Sequence, residues 1–227
     1  MATTTQVLRR VQLGKETVRG TPVAATERML AAGEITLDYP LYRNQHPIGV
    51  MVEHTGGREL LKKDVNVRLT MNGVTYEQIG WPLSLCIDQP ATSGVGPYEH
   101  IWAPGTANPW APHSATLEAR YGDGTNQTDV EFEYVMGRSL RLSGEQGAQL
   151  NLEADLFGRQ VTAAAVTSLS VLATLTPITM ATAAVYMSDT FALADVGPPA
   201  AGIVANQVLS FDLDIDTGIF PQHTIQN

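Results

Sequence analysis

Cysteine is nearly absent from this sequence, since Cys86 is the only one among 227 residues. A single cysteine excludes an internal disulfide, so the fold does not depend on an oxidising compartment. Cys86 lies in an apolar segment, which favours a core position over a nucleophile. Residues 1–6 lack the apolar core of a secretory signal peptide. We therefore expect the protein to be made and to stay in a cytoplasm until lysis.

Charged residues are also scarce, at 16% against about a quarter in typical domains. The formal net charge is −9, which disfavours binding to nucleic acid through its phosphates, because such binding depends on lysine and arginine. Hydrophobic residues make up 44% of the chain, enough for one large β domain. A surface with so few charges favours contact with other subunits.

Long apolar runs are missing as well. Residues 161–187 carry no charge, but serines and threonines interrupt them throughout and Pro177 lies inside. A membrane helix needs about 20 predominantly apolar residues, and the Thr/Val/Ala mixture suits extended structure better. We expect no membrane association.

The pattern that is present is alternation of apolar and polar residues with period two, which is typical of half-buried strands. The predicted strands centre on Val65–Thr70, Ala115–Arg120, Val130–Tyr134, Leu150–Leu156 and Leu209–Asp216, with shorter ones at Val7–Gln12, Glu34–Asp38 and Leu140–Ser143. Glycine-containing turns separate them, and Gly144–Gly147 predicts a hairpin. The sequence therefore predicts a single mainly β domain over 1–227, an antiparallel β sandwich or barrel.

One flanking helix is predicted between about Tyr76 and Ile87, or from Pro82 onward, because proline is tolerated in a first turn. Its expected buried stripe is Ile79, Leu83, Cys86 and Ile87. Two long connections, 39–61 and 98–112, contain prolines, yet also apolar or aromatic residues. Loops of this length are usually functional or disordered, and their apolar content favours packing on a neighbouring subunit.

Patterns for catalysis, metals and cofactors are weak or absent. Asp212, Asp214 and Asp216 resemble the start of a calcium loop, but Thr217 stands where glycine is required and no glutamate follows. The segment beginning at Gly14 lacks the earlier glycine of a phosphate-binding loop. The five histidines are not at metal-ligand spacing. We predict no enzyme activity and no cofactor.

Acidic residues at alternating strand positions are the positive finding. The candidates are Glu131, Glu133, Glu153, Asp155, Asp212, Asp214 and Asp216. Their positions suggest the solvent faces of three strands. If these faces converge, they form a concentrated negative surface that repels DNA.

Several segments, in order, resemble the major tail tube proteins of long-tailed bacteriophages. They are Leu13–Thr26, Tyr98–Pro104, Ser114–Glu118, Tyr134–Gly137, Ser139–Gly144, Leu150–Arg159 and Val208–Gly218. The resemblance spans nearly the whole chain and rests on strand order and small motifs, without a catalytic signature.

The resemblance implies a virion protein, assembled in the host cytoplasm, whose hexameric rings stack into a hollow tail tube. Inner strands of the subunits would close into one barrel, and an acidic lumen would let DNA pass without specific binding. Implied partners are further copies of the chain, the tape measure protein, and the tail terminator and distal tail proteins. The segment 39–61 would be an arm between rings, with Tyr42, Arg43, His46, Ile48, Met51 and His54 as candidate contacts.

Two alternatives stay open at this point. A head decoration or tail terminator protein would share the low charge and β content. A carbohydrate-binding or hydrolysing sandwich would use Trp81, Trp102 and Trp110 as sugar platforms and the paired carboxylates as catalysts.

Overall fold

The computed structural model describes residues 5–43, 58–60, 63–95, 98–102, 113–122, 127–182 and 209–222. Within them lie thirteen strands, one helix and one 3-10 turn at Met180–Thr182. The strands are β1 Thr5–Lys15, β2 Glu27–Met29, β3 Ala32–Asp38, β4 Leu41–Arg43, β5 Arg58–Leu60, β6 Asp64–Asn72, β7 Ala91–Ser93, β8 Glu99–Ile101, β9 Ala115–Gly122, β10 Gln127–Glu145, β11 Asn151–Gly158, β12 Gln160–Ala163 and β13 Ser210–Asp216. The helix, α1, is Gly80–Cys86. The predicted mainly β fold with a flanking helix is confirmed.

The long strand β10 closes the main sheet on itself. Its first half pairs with β9 and its second half with β11. The circuit continues from β11 through β6, β3 and β1 back to β9. All these pairings are antiparallel. β12 and β13 extend the sheet, each pairing with β10.

The core fills the inside of this closed sheet. Alternate residues of a strand point to opposite faces, so Leu13, Leu69, Leu117 and Leu152 point inward and are at most 2% exposed. Among the residues that the structure describes, Phe132 is the largest fully buried side chain. Each such side chain contributes roughly 1.5–3 kcal/mol relative to exposure, so the alternation that predicts the strands also sets the orientation of the sheet.

Helix α1 packs against β10 and is shorter than the 76–87 range. Pro82 lies in its first turn, where a missing N–H costs no hydrogen bond. Its buried residues are Pro82, Leu85 and Cys86. The predicted stripe therefore holds for Cys86 but misses Leu85, while Ile79, Leu83 and Ile87 are only partly buried.

The uncharged stretch crosses the closed sheet as an extended strap, which we define as residues 161–182. It begins in β12. Further on, the Ile178 N–H donates to the Val74 carbonyl, and the Leu150 N–H donates to the Ile178 carbonyl. Extended backbone bonded on both sides agrees with the Thr/Val/Ala composition. In the part of the chain that the structure describes, no helix is long and apolar enough to cross a membrane.

Two small ribbons stand apart from the main sheet. β4 pairs with β5, which brings the two ends of residues 44–57 together. β7 pairs with β8, and all six of their residues are exposed. The connection 39–61 is thus a ribbon at its base, and part of 98–112 is a strand.

All eight predicted strands are present, although Val130–Tyr134 and Leu140–Ser143 belong to one strand, β10. Six short strands, β2, β4, β5, β7, β8 and β12, were not predicted, because three or four residues are too few to show alternation. The Gly144–Gly147 segment does connect β10 to β11 as an antiparallel hairpin.

Candidate functional site: an acidic sheet face

Acidic side chains from three strands collect on the outer face of β13, β10, β11, β6 and β3, which we call the acidic face. Side chains directly opposite each other in an antiparallel sheet lie on the same face. One row across it is Asp216, Ser139, Asp155, Arg68 and Glu34. A β13 acid and a β11 acid thus lie on either side of a β10 residue.

A second row is Asp214, Arg141, Glu153 and Thr70, and a third is Asp212, Ser143, Asn151 and Asn72. Across the three rows, six carboxylates face two guanidinium groups. The face is therefore acidic and directed at solvent: the Asp214 side chain is 77% exposed and that of Asp212 is 44% exposed.

Two arginines hold part of this charge in ion pairs. Arg141 Nε donates to Asp212 Oδ1 at 2.8 Å and lies 3.8 Å from Asp214 Oδ1. Its hydrogen bond lowers the pKa of Asp212. Arg68 pairs with Glu153 at 2.5 Å. These exposed pairs contribute little stability, but they fix where the acids point.

β13 forms one end of this face. It pairs with β10, and none of the other described strands pairs with its outer edge. No residue of β13 is buried, and Leu213 is 48% exposed. An open strand edge offers unpaired N–H and C=O groups to another chain.

Glu131 and Glu133 do not belong to the acidic face. Glu131 lies opposite Glu118 of β9 and is half-buried. Glu133 is 8% exposed, and Arg159 Nε lies 3.7 Å from its Oε1. The prediction that Glu133 points to solvent is wrong: β10 pairs in unbroken register with β12 from Val130 to Glu133, so the alternation holds up to this residue, yet its side chain is covered. The alternation of β10 changes only at the next residue, Tyr134, where φ is 57°.

Two buried glutamates, Glu16 and Glu118, connect loops to the sheet through hydrogen bonds. Neither of them was identified from the sequence. Glu16 is 4% exposed and accepts hydrogen bonds from the Ser114 hydroxyl at 2.6 Å, the Gly20 N–H at 2.7 Å and the Tyr134 N–H at 2.8 Å. The Thr116 hydroxyl donates to it at 3.1 Å. The carboxylate is thus fully bonded inside the protein.

Glu118 is 3% exposed and plays the same part for the strap. It accepts from the Thr167 hydroxyl at 2.7 Å, the Ala25 N–H at 2.9 Å and Gln12 Nε2 at 3.1 Å. Arg10 adds hydrogen bonds to the Thr167 and Leu169 carbonyls, each at 3.0 Å. Only the strap covering this sheet face distinguishes Glu118 from an ordinary solvent-facing acid, and the strand pattern carries no sign of it.

The other predicted sites are dispersed. Trp81 and Trp102 line a cleft beside α1, but none of the predicted catalytic glutamates or aspartates lines it. Trp110 lies outside the described residues, as do the arm candidates His46, Ile48, Met51 and His54. Tyr42 and Arg43 lie in β4. Among the residues described, no group of His, Cys, Asp or Glu could hold a metal ion.

A family model described as phage tail tube protein matches residues 8–223. The chain belongs to the phage tail tube family. The match covers almost the whole sequence, including β13 and all of the closed sheet except the first three residues of β1. No curated protein matches the chain.

Family membership identifies the protein as a structural component of the phage tail and not an enzyme. Tail tube proteins associate with themselves into a tube and meet other tail proteins. The low charge of the chain agrees with self-association.

Proposed function

We propose that the chain assembles into hexameric rings that stack into a hollow tail tube, and that DNA reaches the host through its lumen. The observation that carries the proposal is the acidic face next to the open edge of β13. Family membership supports the tube itself. Assembly would take place in the host cytoplasm, with the tape measure, terminator and distal tail proteins as partners.

In this proposal the acidic face lines the lumen. The acids are those of β13 and β11: Asp212, Asp214, Asp216, Glu153 and Asp155. Like charge raises the free energy of DNA near such a wall, so the DNA slides without binding. Glu131 and Glu133 are no longer favoured for this role, because the first is half-buried and the second buried.

The edge of β13 supplies the ring contact. Pairing it with a strand of the next subunit would satisfy its free backbone groups and bury Leu213. Six subunits joined this way would carry the acidic faces around one axis. The edge is protected from uncontrolled pairing before assembly by the charges of Asp212, Asp214 and Asp216.

Electron microscopy of the concentrated protein tests the assembly: we expect rings with six-fold symmetry and hollow tubes. The lumen is tested in phage carrying Asp214→Asn with Asp216→Asn. We expect normal tails but slowed or blocked DNA release, as measured by fluorescence of a DNA-binding dye. The matched control is Glu77→Gln with Glu99→Gln, which removes two exposed acids that lie outside the strands of the acidic face.

Normal DNA release by the aspartate variant would overturn the lumen assignment. Rings of another symmetry would overturn the hexamer. A protein that stays monomeric or trimeric at high concentration, even with an initiating tail complex, would favour a decoration role over the tube.

A further inference from the structure

A cleft of about 320 Å³ lies beside α1, and no residue of the acidic face lines it. Its walls are mainly aromatic and apolar: Tyr76, Trp81, Leu85, Pro90, His100 and Trp102. Helix α1 supplies one wall and the end of the β7–β8 ribbon another. A concave apolar surface of this kind is a typical binding site.

The polar edges of both indoles are already bonded within the chain. Trp81 Nε1 donates to Glu27 at 2.7 Å, and Trp102 Nε1 donates to Ser84 at 3.3 Å. The His100 and Trp102 rings pack with centroids 5.9 Å apart. These contacts leave aromatic carbon to line the cleft, so its chemistry suits an apolar occupant.

Exposed apolar side chains occur in the cleft, at Tyr76, and in the chain segment that includes β8. Tyr76 is 63% exposed, Tyr98 66% and Ile101 44%. Aromatic residues are enriched in protein interfaces, and an apolar patch rimmed by polar groups marks a contact site. The family associates with itself. We therefore take a second copy of the chain as the binding partner of this apolar patch.

The chain contains one segment whose composition matches the cleft. Residues 44–57 include the run Ile48-Gly-Val-Met-Val and carry one Asp, Glu, Lys or Arg residue, Glu53. The segment starts and ends at the β4–β5 ribbon, which pairs with no other described strand. A lone two-stranded ribbon is marginally stable in water, so it needs a surface to pack on.

We propose that residues 44–57 of one copy bind in the α1 cleft of a second copy. Burial of the apolar run against Trp81 and Trp102 supplies the affinity, while the charged lining residues Lys15 and Glu77 offset each other. The inference rests on the proposed tube function and deepens it by naming the acceptor of the arm.

Photo-crosslinking in the full-length protein tests this contact. Tyr76 is replaced by p-benzoylphenylalanine, and assembled tubes are irradiated and analysed by gel and mass spectrometry. We expect a crosslinked dimer whose peptide joins position 76 to residues 44–57 of another copy. The same replacement at Phe220, which is 64% exposed, is the matched control and should not capture that segment.

A second variant checks the energetics without a probe. Met51→Asp places a charge in the apolar run and leaves the described core untouched, so we expect at least a tenfold rise in the concentration needed for tubes. Normal tube formation by Met51→Asp would overturn the cleft assignment alone. So would a crosslink from position 76 to another segment, to a glycan, or only within one chain. Failure of the wild-type chain to form rings or tubes would instead remove the proposed function, and this inference with it.

Discussion

Glu131 of β10 lies directly opposite Glu118 of β9, so two carboxylates share one cross-strand position. Hydrogen bonds from Thr167, Ala25 and Gln12 satisfy Glu118. For Glu131, burial and then the charges of Glu118, Glu133 and Glu16 raise the pKa. The pair therefore opposes folding when both groups are ionised.

This arrangement predicts a pH-dependent effect of Glu131→Gln. A raised folded-state pKa means that the folded protein keeps the Glu131 proton longer than the unfolded chain does. Stability from this group is therefore present at low pH and is lost as pH rises from the ordinary glutamate range through the folded pKa. Glu131→Gln should be more stable than wild type by roughly 0.2–1 kcal/mol at pH 8.

Thermal unfolding of both proteins from pH 4 to pH 8 measures this difference. It should become smaller toward the acid end, where wild-type Glu131 is increasingly protonated in both states. Exposed Glu34→Gln is the control. A stability difference that is the same at every pH would show that the repulsion between the two carboxylates is unimportant.

Glu16→Ala should be strongly destabilising. The substitution leaves the Ser114 hydroxyl and the N–H groups of Gly20 and Tyr134 without their acceptor. Each buried unpaired group costs about 1–3 kcal/mol, so we expect a loss of at least about 3 kcal/mol in urea unfolding. It should also loosen residues 17–26, with faster amide exchange there. A loss below about 1 kcal/mol would mean that water replaces the carboxylate without penalty.

The strands of the closed sheet were predictable because one face of each is buried, and β13, which has no buried residue, because its apolar and acidic residues alternate. Leu117 and Leu152 are inward and their neighbours polar, so the period of two is visible in the sequence. The acidic face was predictable for the same reason: Asp212, Asp214 and Asp216 alternate without interruption. That they meet Glu153 and Asp155 depends on the pairing of β10 with both β11 and β13, which no local pattern contains.

The buried acids were not predictable from the same rule. Glu118 and Glu133 occupy polar positions of alternating strands, and the rule assigns such positions to solvent. The strap covers Glu118, and Glu133 is buried although its register with β12 continues without a break. Where the strap covers the sheet, polar positions on that face are buried and not exposed. The covering residues, such as Thr167, lie about fifty positions after Glu118 in the chain.

Gly137→Ala should destabilise the contact between β10 and α1. A Cβ at position 137 would overlap Cys86 Sγ and lie 2.9 Å from the Leu85 carbonyl oxygen. Overpacking of this kind typically costs about 1–3 kcal/mol, measurable by urea unfolding. Adding Cys86→Ala should recover part of the loss and not all, since the backbone overlap with Leu85 remains.

Gly80→Ala is the matched control for Gly137→Ala. Its added Cβ would meet only Trp102, at an ordinary 3.6 Å, and alanine is favoured over glycine in a helix by up to about 1 kcal/mol. We expect neutral or increased stability. If both alanine variants lose the same stability, the tight packing of α1 on Gly137 is not the cause.

Cys86 should be unreactive in the native protein. Its side chain is 2% exposed, and burial, followed by the charge of Asp155, raises the pKa of the thiol to about 12. The thiolate is the reactive form, and at pH 8 a pKa near 12 leaves on the order of one thiol in 10⁴ ionised, against about a quarter for a free cysteine. Alkylation by iodoacetamide at pH 8 should therefore be at least about 10³ times slower than in urea-unfolded protein. Ser93→Cys in a Cys86→Ala background supplies an exposed thiol as control. Native Cys86 that reacts as fast as this control would mean that α1 opens readily, and the packing of α1 on Gly137 could then not be tight.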